Sequence, residues 1–269
     1  MFACVLSFTD LTLSDTNCGG LPMDSKTFWC EFNARIEKYD LLAHSFYQAW
    51  SNGLLSKDDL RMYSAQYYKH IEAFPGYLEM LENRLADGGL KQAINENRLD
   101  ELGALSSDKR SHSDIWLDFA AGMGAERSEV ENTVNVPQVN ELVDFYRNTS
   151  RKGKTIEALS AFCAYESQVP RIAKEKAVGL KQHYGADAKS YKYFSIHATA
   201  DIEHTKVWQE LIEQELDNVD NDRDQTIQLA LDSAERAAQH LWKALDGIEM
   251  KRTGISQDQL AQSALAMAC

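Results

Sequence analysis

The sequence predicts an all-α fold on three observations. Apolar residues recur at steps of three and four along most of the 269 residues, the apolar-polar alternation of strands is missing, and only 14 Gly and 4 Pro interrupt the pattern. Apolar residues make up 44% and aromatics 10%, enough for a sizeable core, and no linker-like stretch divides the chain. A single helical domain over residues 25–250 is expected, with residues 1–24 as a loosely held arm and 251–269 as a C-terminal tail.

Taken in order, the helical period from Ser25 to about Trp50 predicts a first helix that stops at Asn52-Gly53. Ser56 caps a second, long helix with Asp58 and Asp59 in its first turn and a kink at Pro75. A third runs from about Leu90 to Leu102 and frays into the polar loop GALSSDKR. Ser111 followed by Asp114 opens a fourth, and Pro137 suits the first turn of a fifth that reaches about Asn148. Two long runs follow, TIEALSAFCAYESQVPRIAKEKAVGLKQHY, kinked at Pro170, and AKSYKYFSIHATADIEHTKVWQELIEQEL. The acidic turn DNVDNDRD precedes a last amphipathic helix to about Met250, for seven or eight helices in all.

Charge and cysteine usage narrow the function. A formal net charge of −13 sets the chain against nucleic acid and anionic membrane surfaces. No run of about 18 apolar residues is present for a spanning helix. The five cysteines are odd in number and form no CxxC pair, which argues against a disulfide framework or a zinc knuckle and for a reducing cytoplasm. The N-terminal stretch lacks a basic n-region and carries Asp10, so a secretory signal is not expected.

The segment HATADIEH carries the chemistry. At about 100° per residue, steps of four and seven bring His197, Asp201 and His204 back to within roughly 40° of one another on one helix face. Glu166 is charged in a segment that otherwise reads as core, and a buried carboxylate needs a cation or a basic partner. Glu101 and His112 flank a bent connection and can converge on one point. Three imidazoles and three carboxylates suit iron or manganese in a dinuclear site within a helical bundle. Read alone, His44 and Tyr47 share one helix face, and Tyr63, Tyr67, His70 and Phe74 form a stripe of the kind that usually packs a core.

The combination of a glutamate before a loop, a histidine in HxxxW, the run YESQVPxIAxxKxxGL and a terminal HxxxDxxH resembles the haem-oxygenase-like diiron oxidases over about Leu41 to Leu216. Within that superfamily, AHSFYQAWSNGLLSKDDLRMYSAQYYKHIEAFPGYL and AYESQVPRIAKEKAVGL resemble the CADD-like para-aminobenzoate synthases. The resemblance implies a seven-helix haem-oxygenase-like bundle and a homodimer. It also implies two metal ions (Fe/Fe or Mn/Fe) held by Glu101, His112, Glu166, His197, Asp201 and His204, and O2 with an external reductant. In that group the enzyme is its own substrate for 4-aminobenzoate, a folate precursor, and no external organic substrate is needed. Carried over by motif, Tyr47 supplies the ring, Lys176 the amino group, and Tyr63 is the second tyrosine near the site. The loop ALSSDKRS looks expanded relative to the family, which leaves Asp100 and Asp108 as alternatives to Glu101. An oxidase acting on an external amino acid or fatty acid is the other reading of the same ligands, and a metal-free enzyme of this fold or an interaction module are readings of different classes.

Overall fold

The computed structural model describes residues 23–219, 222–256 and 259, and these form helices and turns without a strand. The expected arm therefore falls mostly outside the described residues, as does most of the tail. The first expected helix divides in two. Helix α1, Ser25–Glu37, is capped by Asp24 and buries Phe28, Phe32 and Ile36 against α11. The Asp40 carboxylate accepts from the Leu42 amide and ends the helical run, because a local side-chain bond offers the backbone an alternative to the helix. A 3-10 turn over Leu41–Ala43 follows, and His44 Nδ1 then caps the short α2, Ser45–Ser51, by accepting from the Phe46 amide.

Helix α3, Lys57–Glu82, starts at a capping box in which Ser56 and Asp59 satisfy each other's backbone amides, and it continues as one helix through Pro75. Helix α4 spans Gly89–Glu101, and α5 spans His112–Gly122 with Ser111 as its cap. A short α6, Arg127–Glu131, is a turn of helix the sequence pattern did not predict. Helix α7, Pro137–Lys152, begins on its proline as expected.

The long run around Pro170 is two helices, α8 (Thr155–Glu166) and α9 (Val169–His183), rather than one kinked helix. Pro170 sits in the first turn of α9, where its missing N–H costs no ladder bond. Gln168 fixes the break: its side chain donates to the Ala164 carbonyl and accepts from the Leu41 amide. Helix α10 spans Lys192–Asp217, and α11, Arg223–Thr253, ends on Gly254 with φ 72°. These breaks account for the larger number of segments than the seven expected.

Helix α11 packs on α1, α7 and α8 through small residues, among them Ala230, Ala234, Ala237 and Ala244, which are wholly buried. Helix α10 packs on α5, α8 and α9, while α3 packs on α4, α5 and α7. The layer between α3 and α10 holds a packed aromatic cluster that includes Trp50, Tyr63, Trp116, Phe119 and Phe194. Close approach of α9 to this layer depends on Gly179, where an added Cβ would lie 2.8 Å from Trp50 Cδ1. Trp50 is fully buried, so it has no space to yield. Gly179→Val is expected to destabilise the protein by about 1–3 kcal/mol in urea unfolding, the usual cost of overpacking a core.

Candidate metal centre

Four helices supply the centre. Glu101 ends α4, His112 opens α5, Glu166 ends α8, and α10 contributes His197, Asp201 and His204 from one face. They gather as two trios, Glu101–His112–His197 and Glu166–Asp201–His204, within each of which ligand atoms lie within 4.8 Å of one another. The imidazoles of His112 and His197 meet edge to face with centroids 4.6 Å apart, and Asp201 Oδ2 of the second trio lies 3.1 Å from His197 Nδ1 of the first, which joins the trios into one centre.

Electrostatics shows what the centre lacks. Glu101, Glu166 and Asp201 are buried, and among the described residues none pairs with a lysine or arginine. His112 Nδ1 lies 3.0 Å from Glu101 Oε2, and His204 Nδ1 lies 3.3 Å from Asp201 Oδ1 and 3.6 Å from Glu166 Oε2. Yet His112 Nδ1, His197 Nε2 and His204 Nδ1 are buried atoms without a hydrogen-bond partner. Unpartnered imidazole nitrogens facing uncompensated carboxylates are what a divalent cation satisfies, so the residues fit a pair of metal ions. Asp201 also bonds His197 Nδ1 at 3.1 Å, which orients that ring and leaves Nε2 free to ligate.

The protonation states fit the same demand. Burial lowers His112 and His204, but the carboxylates beside them outweigh it and push each up to about 9. Burial raises Glu166 to about 8 against the opposing pull of His204. Protons thus stand in for cations when no metal is bound.

Beside this centre lies a second cluster. Lys176, Tyr47 and Tyr63 are all buried, and Lys176 Nζ donates to Tyr47 Oη at 2.7 Å and to Tyr63 Oη at 2.6 Å. The two phenols are 3.0 Å apart. No carboxylate pairs with Lys176 among the described residues, and burial lowers it well below the usual lysine range while pushing both tyrosines well above theirs. The amine sits 4.1 Å from the centroid of the Tyr47 ring and 4.8 Å from that of Tyr63. Two small cavities, about 30 and about 10 Å³, adjoin the amine and the ligands respectively, and Ile71, Tyr165 and Tyr193 line both.

All nine residues singled out in the sequence thus fall in two adjoining clusters. Asp108 instead pairs with Lys192, and Asp100 lies outside the trios, beside His204. Four neighbours escaped sequence reasoning. Trp208 Nε1 donates to Glu166 Oε2 at 2.7 Å and Asn97 Nδ2 to Glu166 Oε1 at 3.3 Å, fixing that carboxylate from both sides. Tyr193 stacks obliquely on His197 at 4.3 Å, and Tyr165 separates the cavities. Helical spacing held a signal for three of them, since Trp208, Asn97 and Tyr193 each lie four residues from a ligand.

With this geometry in hand, the comparisons with known proteins are specific. The profile of the iron-containing redox enzymes of haem-oxygenase type matches residues 61–240. The 4-aminobenzoate synthase of Chlamydia pneumoniae is 35% identical over 188 residues, covering 70% of this chain and 82% of its own. That of Nitrosomonas europaea is 32% identical over 236 residues, covering 84% of this chain and 92% of its own. Among solved structures, a TenA homologue from Pseudomonas syringae superposes with a TM-score of 0.71 at 17% identity, covering 85% of this chain and 93% of its own, a likeness of fold.

Two outcomes follow for the metal centre. Divalent metal must displace protons held up to about pH 9, so apparent Mn(II) affinity should rise steadily from pH 6 to 9 by isothermal titration. For the metal-free protein the sign is opposite. Histidines raised above their unfolded value of 6.5 contribute stability that is complete below that pH and lost as pH rises through about 9, and a Glu166 raised from 4.5 to about 8 acts in the same direction. Its melting temperature should fall between pH 6.5 and 9, whereas bound metal should abolish most of that fall.

Proposed function

We propose that this chain, which belongs to the haem-oxygenase-like family of iron-containing redox enzymes, makes 4-aminobenzoate from its own Tyr47 with Lys176 as the amino donor. The observation that carries the proposal is the buried Lys176 amine, which has no carboxylate partner among the described residues, is bonded to the Tyr47 phenol and lies nearer its ring than that of Tyr63. The names of the two bacterial relatives supply the product.

A metal pair bound at the six ligands would supply, with O2 and an external reductant, the oxidising power that cleaving the Cα–Cβ bond of a tyrosine requires and no side-chain acid or base can provide. Three nitrogen and three oxygen donors accept Fe/Fe or Mn/Fe, and three carboxylates offset most of the charge of either. The rest falls to the chain. Burial keeps Lys176 unprotonated, so its lone pair is available as a nucleophile without a separate base. Tyr63 fixes the amine through its phenol, which lies beside that of Tyr47, with its ring 6.2 Å from that of Tyr47 in an edge-to-face arrangement. Trp50, Phe46 and Phe194 close the pocket against water, and the confined geometry replaces an encounter in solution.

At Lys176, space favours an internal substrate over an external one. The cavity next to Lys176 has about 30 Å³, room for a water molecule, whereas small-molecule sites span roughly 300–1,000 Å³. An amino acid or fatty acid would have to displace Tyr47 itself. A homodimer belongs to the same reading and rests on the family resemblance.

Tyr47→Phe and Lys176→Met proteins, loaded with metal and given O2 and a reductant, are each expected to yield no 4-aminobenzoate by liquid chromatography. The parent should stop at no more than one product per chain. Repeated turnover on an added amino acid would contradict the proposal. Lys176→Met should also be more stable than the parent at neutral pH. An unfolded lysine is protonated below 10.5 while the folded one is not, so burial costs stability there and the gain should shrink as pH approaches 10.5.

A further inference from the structure

A surface cavity adjoins the centre at His204. Glu96, Asn97 and Asp100 of α4, Leu105 of the following loop, and Glu203 and His204 of α10 line an open cavity of about 370 Å³ whose walls carry no lysine or arginine. His204 stands at its inner end and presents different nitrogens to the two sides. Nδ1 faces Asp201 and Glu166 at 3.3 and 3.6 Å, while Nε2 faces Asp100 Oδ2 at 3.6 Å. Asn97, 7% exposed, lies in the same wall: its Nδ2 is committed to Glu166, and its Oδ1 is buried without a hydrogen-bond partner.

Helix stability does not account for Asp100. It lies in the last turn of α4, where the macrodipole disfavours a carboxylate, and next to Glu101, a like charge. Among the described residues its one ion-pair contact is His204, whereas Glu203 pairs with Lys206. The loop expansion noted in the sequence supplies the outer wall through Leu105, and this loop is tied to α10 by Asp108 and Lys192.

We propose that Asp100, Asn97 Oδ1 and His204 Nε2 form an outer position that captures hydrated divalent metal ions, Mn(II) or Fe(II), and hands them through the His204 ring to Glu166 and Asp201. Two oxygens and one imidazole nitrogen suit these first-row ions, and the open cavity leaves room for the waters that complete their coordination. The acidic rim concentrates cations at the mouth without binding them permanently, because it stays solvated. Transfer needs no rearrangement of helices: as the His204 side chain rotates aside, the ion gives up Nε2, Asp100 and its waters and gains Nδ1 and the carboxylates of Glu166 and Asp201. The inference rests on the six-ligand reading but concerns how the centre is filled, not what it catalyses.

The test is the rate of metal loading. Metal-free full-length protein is mixed with limiting MnCl2, the free Mn(II) signal is followed by freeze-quench electron paramagnetic resonance, and final content is measured by elemental analysis. Asp100→Asn should slow uptake on the order of tenfold and still reach the parent's two ions per chain, with the rate recovering at higher Mn(II). Leu105→Trp, which fills the mouth from an exposed position, should slow it as well. Asp144→Asn, an exposed carboxylate on α7, should change it less than about twofold. Parent-like uptake in both Asp100→Asn and Leu105→Trp would overturn the inlet, and a final content of one ion in Asp100→Asn would overturn it by making Asp100 a resident ligand. A parent protein that bound no Mn(II) would defeat the six-ligand reading itself.

Discussion

The arrangement turns on a buried amine without a counter-ion. Placing a protonated lysine in a low-dielectric interior costs several kcal/mol, and the chain offers Lys176 two neutral phenols in place of a carboxylate. The group therefore gives up its proton rather than its position. Much of the surrounding structure serves that outcome: the dense aromatic layer excludes water, Gly179 lets α9 bring the lysine against Trp50, and the Trp50 indole donates to the Lys176 carbonyl at 3.3 Å to hold the backbone in place. Each is a cost or constraint that a purely structural core would avoid.

A few residues away the balance is inverted. Three carboxylates are buried with histidines and, among the described residues, no lysine or arginine, so one cluster holds an amine without a carboxylate and its neighbour holds carboxylates without a cation. Had the sequence placed Lys176 against Glu166 or Asp201, both problems would vanish in a salt bridge and with them both reactive states. Tyr165, Tyr193 and Ile71 stand between the clusters and prevent that pairing. Keeping the two apart preserves a free amine on one side and an open demand for metal on the other.

The ligands were legible in the sequence because four of them carry local signals: three share one helix face, and Glu166 is a charge among core residues. Glu101 and His112 were legible only through the family motif, since their convergence depends on how α4 and α5 bend around a loop that no periodicity describes. Lys176 too was legible only through the family motif. Helical spacing relates it to Glu166 only along one continuous helix, whereas the chain breaks at Ser167–Gln168 and α9 sets out in a new direction. Trp208 and Asn97 escaped notice although their spacing marks them as neighbours of ligands, because a tryptophan at such a position usually packs a core and an asparagine is usually solvated. The division of the first helix at Asp40 was hidden because apolar spacing continues across it while a single carboxylate competes for the backbone.

The most direct measurement follows the nitrogen. Protein grown with lysine carrying 15N at the side-chain amine alone is loaded with metal, given O2 and a reductant, and separated into product and peptides for mass spectrometry. Labelled 4-aminobenzoate, with loss of nitrogen at Lys176 and of the side chain at Tyr47 in the same fraction of molecules, is the predicted result. Unlabelled product from a chain with both residues intact would contradict it.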